Sequence, residues 1–302
     1  MPAAADARNP RRVKSMDRYA TRVFAALALA SAALYGAADF FGGIASKRAA
    51  TVVVAFVAQS AGLVLLVVIV PLLPSSSPVR GDYAWGAASG VAGSVGVALL
   101  YRALAVGTMS IVAPITAVCA AAVPVLAALA LGERPGAIAG LGIALATAAI
   151  VFLSRGESGE ATAERRGSAA GLALMSGVAV GLFFLCLART SRDAGIWPLI
   201  AGRSVSVPLF AAMVAATRHT FRMEFASLRT TVACGTLDML ANALYLIATR
   251  YGPLTLVATL ASLYPASTVV LARLTLGERL TRAQALGVAC ALTAVVLIVG
   301  GS

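Results

Sequence analysis

Asp238, Asn242, Tyr245 and Thr249 stand four, three and four residues apart within one long apolar run, a spacing that puts all four on one face of a helix. A carboxylate, an amide and a phenol aligned in this way could bind an amine or hydroxyl group of a solute. They could equally satisfy one another across a packed helix interface. Ser31, Tyr35 and Asp39 form a second such face in the first apolar run. Asp39 falls toward the outer end of that run, where water or a pairing with Lys47 would account for it as well as a cavity would. Either aspartate could carry a coupling proton. Arg203, near Ser206, could grip a solute carboxylate through its planar donors or form an internal ion pair with Asp238. Tyr101, Tyr245 and Tyr264 could wall a site for a planar or amphipathic solute, or simply pack between helices. Pro265 directly after Tyr264 should disturb its helix and leave backbone carbonyls that must face protein or a cavity. A charge in lipid costs about 3 kcal/mol on insertion scales, so these groups should face a bundle interior or a wet cavity. Arg102 and Arg273 lie near the ends of their runs and read as side chains snorkelling to the surface.

The elements that carry these residues must be membrane spans. The chain has 302 residues, 60% of them hydrophobic and 12% charged, too apolar for a soluble domain of this length. Spanning a bilayer takes roughly 20 apolar residues as a helix. The pattern predicts an all-α membrane protein of ten transmembrane helices, near 23–44, 49–71, 84–106, 109–131, 136–153, 168–189, 196–217, 230–251, 254–276 and 283–300. Residues 1–22 read as a basic tail, mobile or lying on head groups, and 154–167 as a polar linker. Gly86, Gly90 and Gly93, like Gly136, Gly140 and Ala144, recur at helical spacing and read as positions where helix backbones approach closely.

The formal net charge of +12 does not point to nucleic acid. Arg8, Arg11, Arg12, Lys14, Arg18 and Arg22 precede the first run and most other basic residues fall between runs, where they set topology and touch anionic lipid. Lysine and arginine divide almost evenly between the two sides, but the early cluster favours a cytoplasmic N-terminus. Ten spans would return the C-terminus to that side. Cys119, Cys186, Cys234 and Cys290 lie inside apolar runs without C-x-x-C spacing, and His219 is the lone histidine, so no metal, disulfide or cofactor is expected. Sparse membrane acids and an isolated histidine argue against a lipid-modifying enzyme. No G-x-x-x-x-G-K-[ST] loop occurs, so the chain carries no recognisable ATPase. The first run is long and holds Asp39, which reads as a span and not as a cleavable signal. Abundant Ala, Gly and Arg, with lysine only at 14 and 47, suggest a GC-rich bacterial genome and hence the cytoplasmic membrane.

The chain also repeats itself. Leu131-Gly132-Glu133-Arg134 returns as Leu276-Gly277-Glu278-Arg279, Gly107 as Gly252, Gly142 as Gly287, Ser31 as Ser176 and Gly36 as Gly181. Each copy, 23–153 and 168–302, holds five runs, and an odd number forces the second copy to enter the membrane inverted relative to the first. Inverted repeats of this kind are typical of carriers with a midplane site.

Ten helices, a duplicated five-helix unit and a proline-containing fourth helix that closes on Leu-Gly-Glu-Arg resemble the drug/metabolite transporter superfamily, specifically its EamA-type carriers. Pro114 and Pro124 precede Gly132-Glu133-Arg134, and Pro265 precedes Gly277-Glu278-Arg279. The resemblance covers essentially Val23 to Gly300. It implies a permease or exporter for small organic solutes, with cytoplasmic termini and a central cavity between the halves. A lipid flippase, or a subunit that needs a partner, is the alternative on the same fold. The Gly-Glu turns read as ordinary helix ends with a structural or gating role.

Overall fold

The computed structural model describes residues 10–107, 109–153, 163–218, 223–276 and 282–300. His219, the Gly277-Glu278-Arg279 turn and most of the expected linker lie outside the described residues, as does the side chain of Arg273. Among the described residues there are helices and no strands: α1 (Pro10–Arg48), α2 (Thr51–Ile69), α3 (Arg80–Val106), α4 (Met109–Ala130), α5 (Ala137–Leu153), α6 (Ala163–Ala188), α7 (Trp197–Thr217), α8 (Phe225–Tyr251), α9 (Leu254–Ala261), α10 (Tyr264–Leu276) and α11 (Arg282–Gly300).

Among the described residues six segments are long and apolar enough to cross a membrane: Ala20–Arg48, Thr51–Leu72, Arg80–Val106, Ser168–Ala188, Trp197–Thr217 and Phe225–Tyr251. Ile115–Ala130, Ala137–Ala149 and Leu254–Thr268 are shorter apolar helices. Their outer faces carry Val64, Val67 and Val68 on α2, Val91 and Val95 on α3, and Leu174 and Met175 on α6, all exposed. Water would not tolerate so broad an apolar surface, and lipid does.

Two helices depart from the sequence expectation. α1 is already helical at Pro10, where the described residues start, so the segment read as a mobile tail is helical from there on. At 1.5 Å per residue the helix is about 58 Å long, roughly twice the hydrocarbon thickness of a bilayer. The expected helix 254–276 is instead broken between α9 and α10. Pro265 lacks the N–H that would bond to Ala261, the last residue of α9, as the helical i→i−4 pattern requires.

Contacts along the helices give their directions. Gly252 lies against Phe24 and Ala241 against Ser31, so α8 runs antiparallel to α1. Gly107 against Ala169 and Gly96 against Ser176 make α6 antiparallel to α3. Thr116 meets Ala173 and Val123 meets Gly181, so α4 and α6 run parallel. Ala32 meets Ser267 and Gly36 meets Thr268, which makes α1 and α10 parallel. α9 begins where α4 ends, at Glu133, and therefore opposes it. Across the break, Leu263 N still donates to Leu260 O (3.2 Å) and Ala266 N to Leu263 O (3.0 Å), which carries the chain onward in one direction. The first helices of the two halves, α1 and α6, therefore point in opposite directions.

Packing follows the repeat. α1 packs on α8 as α6 packs on α3; α4 on α6 as α9 and α10 on α1; α3 on α7 as α2 on α8; α5 on α11, and α2 on α7, pair counterparts directly. Individual atoms keep the correspondence. The Ser31 hydroxyl donates to Ala241 O at 2.8 Å, and that of Ser176, its repeat equivalent, donates to Gly96 O at 2.8 Å. Ala241 and Gly96 are separated by the same offset as the serines. Gly90 and Gly235, again one offset apart, each leave no room for a methyl group, because the backbone of Gly202 or of Ala58 lies where it would stand. Gly140, expected to pack in the same way, has open space there.

Candidate functional site

A cavity of about 70 Å³ lies where α1, α3, α6, α8 and α10 meet. α1 brings Tyr35 and Asp39 to it, α8 brings Asp238 and Asn242, α7 brings Arg203 and α10 brings Tyr264; Tyr101 joins from α3. Seven of the eight residues that sequence reasoning put forward as substrate-binding therefore line one space. A smaller chamber of about 20 Å³ adjoins it and shares Gln59, Gly93, Phe183, Arg203 and Asn242.

Four of these side chains form a relay. The Tyr35 hydroxyl donates to Asn242 Oδ1 at 2.7 Å. Asn242 Nδ2 donates to the Asp238 carbonyl at 2.7 Å and to its Oδ2 at 3.1 Å. Arg203 Nη2 donates to the same Oδ2 in an ion pair. Of the two roles open to Arg203 on sequence, the internal pair with Asp238 is the one this structure contains. Burial requires such compensation, since an unpaired charge away from water is costly. Beside the pair, Ser206 Oγ donates to Gln59 Oε1 at 3.0 Å.

Tyr245 lies elsewhere. It is fully buried behind the cavity wall, with its ring 4.5 Å from that of Phe184 and its hydroxyl donating over 3.4 Å to Phe184 O. Thr249 bonds back to Leu246 O in its own helix. The α8 stripe thus divides: its first two members reach the cavity and the next two do not. Tyr101 reaches the cavity with its hydroxyl 3.0 Å from Cys234 Sγ. Tyr264 lies edge-on to Tyr35, with centroids 6.4 Å apart, and Tyr35 edge-on to Phe184 at 5.6 Å.

Asp39 faces the cavity and not the outer solvent. Lys47, the suggested partner, is exposed and eight residues along the helix, about 12 Å away. Among the described residues Asp39 makes no hydrogen bond or ion pair. Arg102 is exposed, as snorkelling requires.

Sequence reasoning missed the apolar part of the lining, Val97, Leu100, Val180, Phe183 and Phe184, as well as Gln59 and Thr116. The signal was in the repeat. The offset that carries Ser31 to Ser176 carries Tyr35 to Val180 and Asp39 to Phe184; carried backwards, Asp238 becomes Gly93 and Asn242 becomes Val97. All eight line the cavity. Each of these positions and its repeat equivalent therefore reach one space, the α1 and α8 members polar and the α3 and α6 members apolar.

One end of the molecule is tied across the repeats. Asp82, on α3, accepts from Ser191 N (2.7 Å) and Ser191 Oγ (2.8 Å), and Ser77 N donates to Asp193 O at 2.9 Å. At the end of α4, Gly132 takes φ 97°, a left-handed value that suits glycine, while Glu133 N closes the turn onto Ala128 O at 3.0 Å. The turn aims the Glu133 carboxylate at the start of α9, where it accepts from Leu254 N and Thr255 N, both at 3.0 Å, and from Thr255 Oγ1.

The family model of the EamA-like transporter family matches residues 23–155 and again residues 167–300. A solved structure titled only "Crystal structure of protein" is similar over 96% of this chain and 96% of its own, at 15% identity and TM-score 0.58, a likeness of fold. A search of curated proteins finds no match.

Proposed function

The chain belongs to the EamA-like transporter family, and from that premise we propose that it is a secondary carrier that moves a small organic solute across a membrane by alternating access. α9 and α10 count as one broken span, which makes ten in all, arranged as two inverted five-helix units. The N-terminus and C-terminus face the cytoplasm, the membrane is a bacterial inner membrane, and the direction is export. Transport needs neither a bound cofactor nor a nucleic-acid partner; the partners are the solute, the surrounding lipid and, where Asp39 or Asp238 exchanges one, a proton.

A single observation supports the site: the Tyr35–Asn242–Asp238–Arg203 relay and the unpaired Asp39 share a cavity walled by both repeats. Substrate sites at the interface of inverted repeats, beside a broken helix, are the pattern expected of such carriers. Size limits the occupant. A water-sized group needs roughly 10–15 Å³, so 70 Å³ takes about five to seven such groups and excludes a large drug in this conformation. The end tied through Glu133, Asp82 and Ser77 is the closed gate, and those bonds must break for the cavity to open there.

Reconstitution in liposomes tests the reading. Flux of small solutes from a metabolite mixture should depend on this chain alone, and Asp238→Asn should impair it more than Arg102→Lys. Equal, near-normal flux in both variants would remove the site assignment. Solute movement that needs a second protein would favour the subunit alternative.

A further inference from the structure

The charges that face the cavity leave a remainder. Arg203 and Asp238 cancel as an ion pair. Asp39 faces the same space with no hydrogen-bond or ion-pair partner among the described residues. With Asp39 ionised, the net charge that these three side chains present to an occupant is one negative unit. Val97, Val180, Phe183 and Phe184 line the same cavity, with Gly93 contributing only backbone.

We infer that the transported solute is a small organic monocation, its ammonium head held by Asp39 and its apolar body laid against Phe184, Val180 and Val97. The inference rests on the carrier reading above and names the substrate class for that site. In a confined, poorly hydrated space an uncompensated charge is costly, and an occupant of one positive unit cancels it. A carboxylate would meet Asp39 with like charge, and the Arg203 guanidinium, the one cationic group lining the cavity among the described residues, is already engaged by Asp238. A zwitterion would leave the cavity charge unchanged. The rings of Tyr35, Tyr264 and Phe184 line the same space, and aromatic rings attract cations. Volume sets the upper size: about five to seven water-sized groups, that is, an ammonium carrying a short branched or unbranched alkyl chain.

Three nearly isosteric probes separate charge from shape: isopentylammonium, isopentanol and isovalerate. Equilibrium binding to the purified protein and counterflow in proteoliposomes should rank the ammonium at least tenfold above the alcohol, with the carboxylate lowest. Asp39→Asn should abolish that preference by lowering ammonium affinity at least tenfold while leaving the alcohol's weak affinity in place, and Asp39→Glu should keep part of it. Retained alcohol affinity in Asp39→Asn also shows that the variant folds. Equal binding of the three probes, or a preference that survives Asp39→Asn, would overturn the charge assignment and leave the carrier reading standing. Binding of none of them, together with no flux of any metabolite from a mixed pool, would remove both.

Discussion

The Glu133 carboxylate, from the first repeat, caps the start of the second repeat's α9 by accepting from Leu254 N, Thr255 N and the Thr255 hydroxyl. The first N–H groups of a helix have no partner within it, and a carboxylate there also meets the positive end of the helix dipole. The Gly-Glu turn is thus an inter-repeat tie as well as a helix end.

Breaking that tie should favour opening at its end. Glu133→Ala removes a cap worth about 1–2 kcal/mol, a five- to thirtyfold change in the balance of closed and open forms. In a background without native cysteines, an impermeant maleimide added from that side should label Ser262→Cys, buried in the break between α9 and α10, at least fivefold more when Glu133 is alanine. Unchanged labelling would show that Glu133 does not hold the gate.

Arg203 and Asp238 should be worth more together than apart. Arg203→Met leaves the carboxylate unpaired and should destabilise the protein by about 3 kcal/mol, the lower end of the usual range because Asp238 keeps some contact with the cavity. The double variant Arg203→Met with Asp238→Asn should recover most of that stability and none of the transport. Thermal unfolding in detergent, set beside flux, separates the two effects.

The two tyrosines of the stripe and the first helix should differ. Tyr35→Phe removes the donor to Asn242 Oδ1 and should lower flux severalfold. Tyr245→Phe loses only a long bond to Phe184 O and should change stability by under about 1 kcal/mol, with transport near normal. Equivalent losses of flux would return Tyr245 to the site.

The repeat predicts matched energetics. Ser31→Ala and Ser176→Ala remove equivalent 2.8 Å bonds and should each cost about 1 kcal/mol. Gly90→Ala and Gly235→Ala push a methyl into a neighbouring backbone and should cost more, about 1–3 kcal/mol each. Unfolding midpoints of the four variants test whether the halves carry load equally.

Membrane residence, helical architecture and duplication were legible in the chain itself, because lipid demands long apolar helices and because Leu-Gly-Glu-Arg and the serine and glycine pairs recur at one spacing. The polar side of the site was legible too, since a charge inside a span needs a reason. What a lone helix pattern does not specify is which face meets which neighbour. Tyr245 shares a face with Asp238, yet packing turned it behind Phe184. Arg203 had two available partners, and the approach of α7 to α8 selected Asp238. The apolar wall carries no chemistry to mark it in the sequence. Only the crossing of the two halves brought Phe184 and Val180 into the same space as their own equivalents, Asp39 and Tyr35, because inverted repeats bring corresponding positions to the same central space from opposite directions.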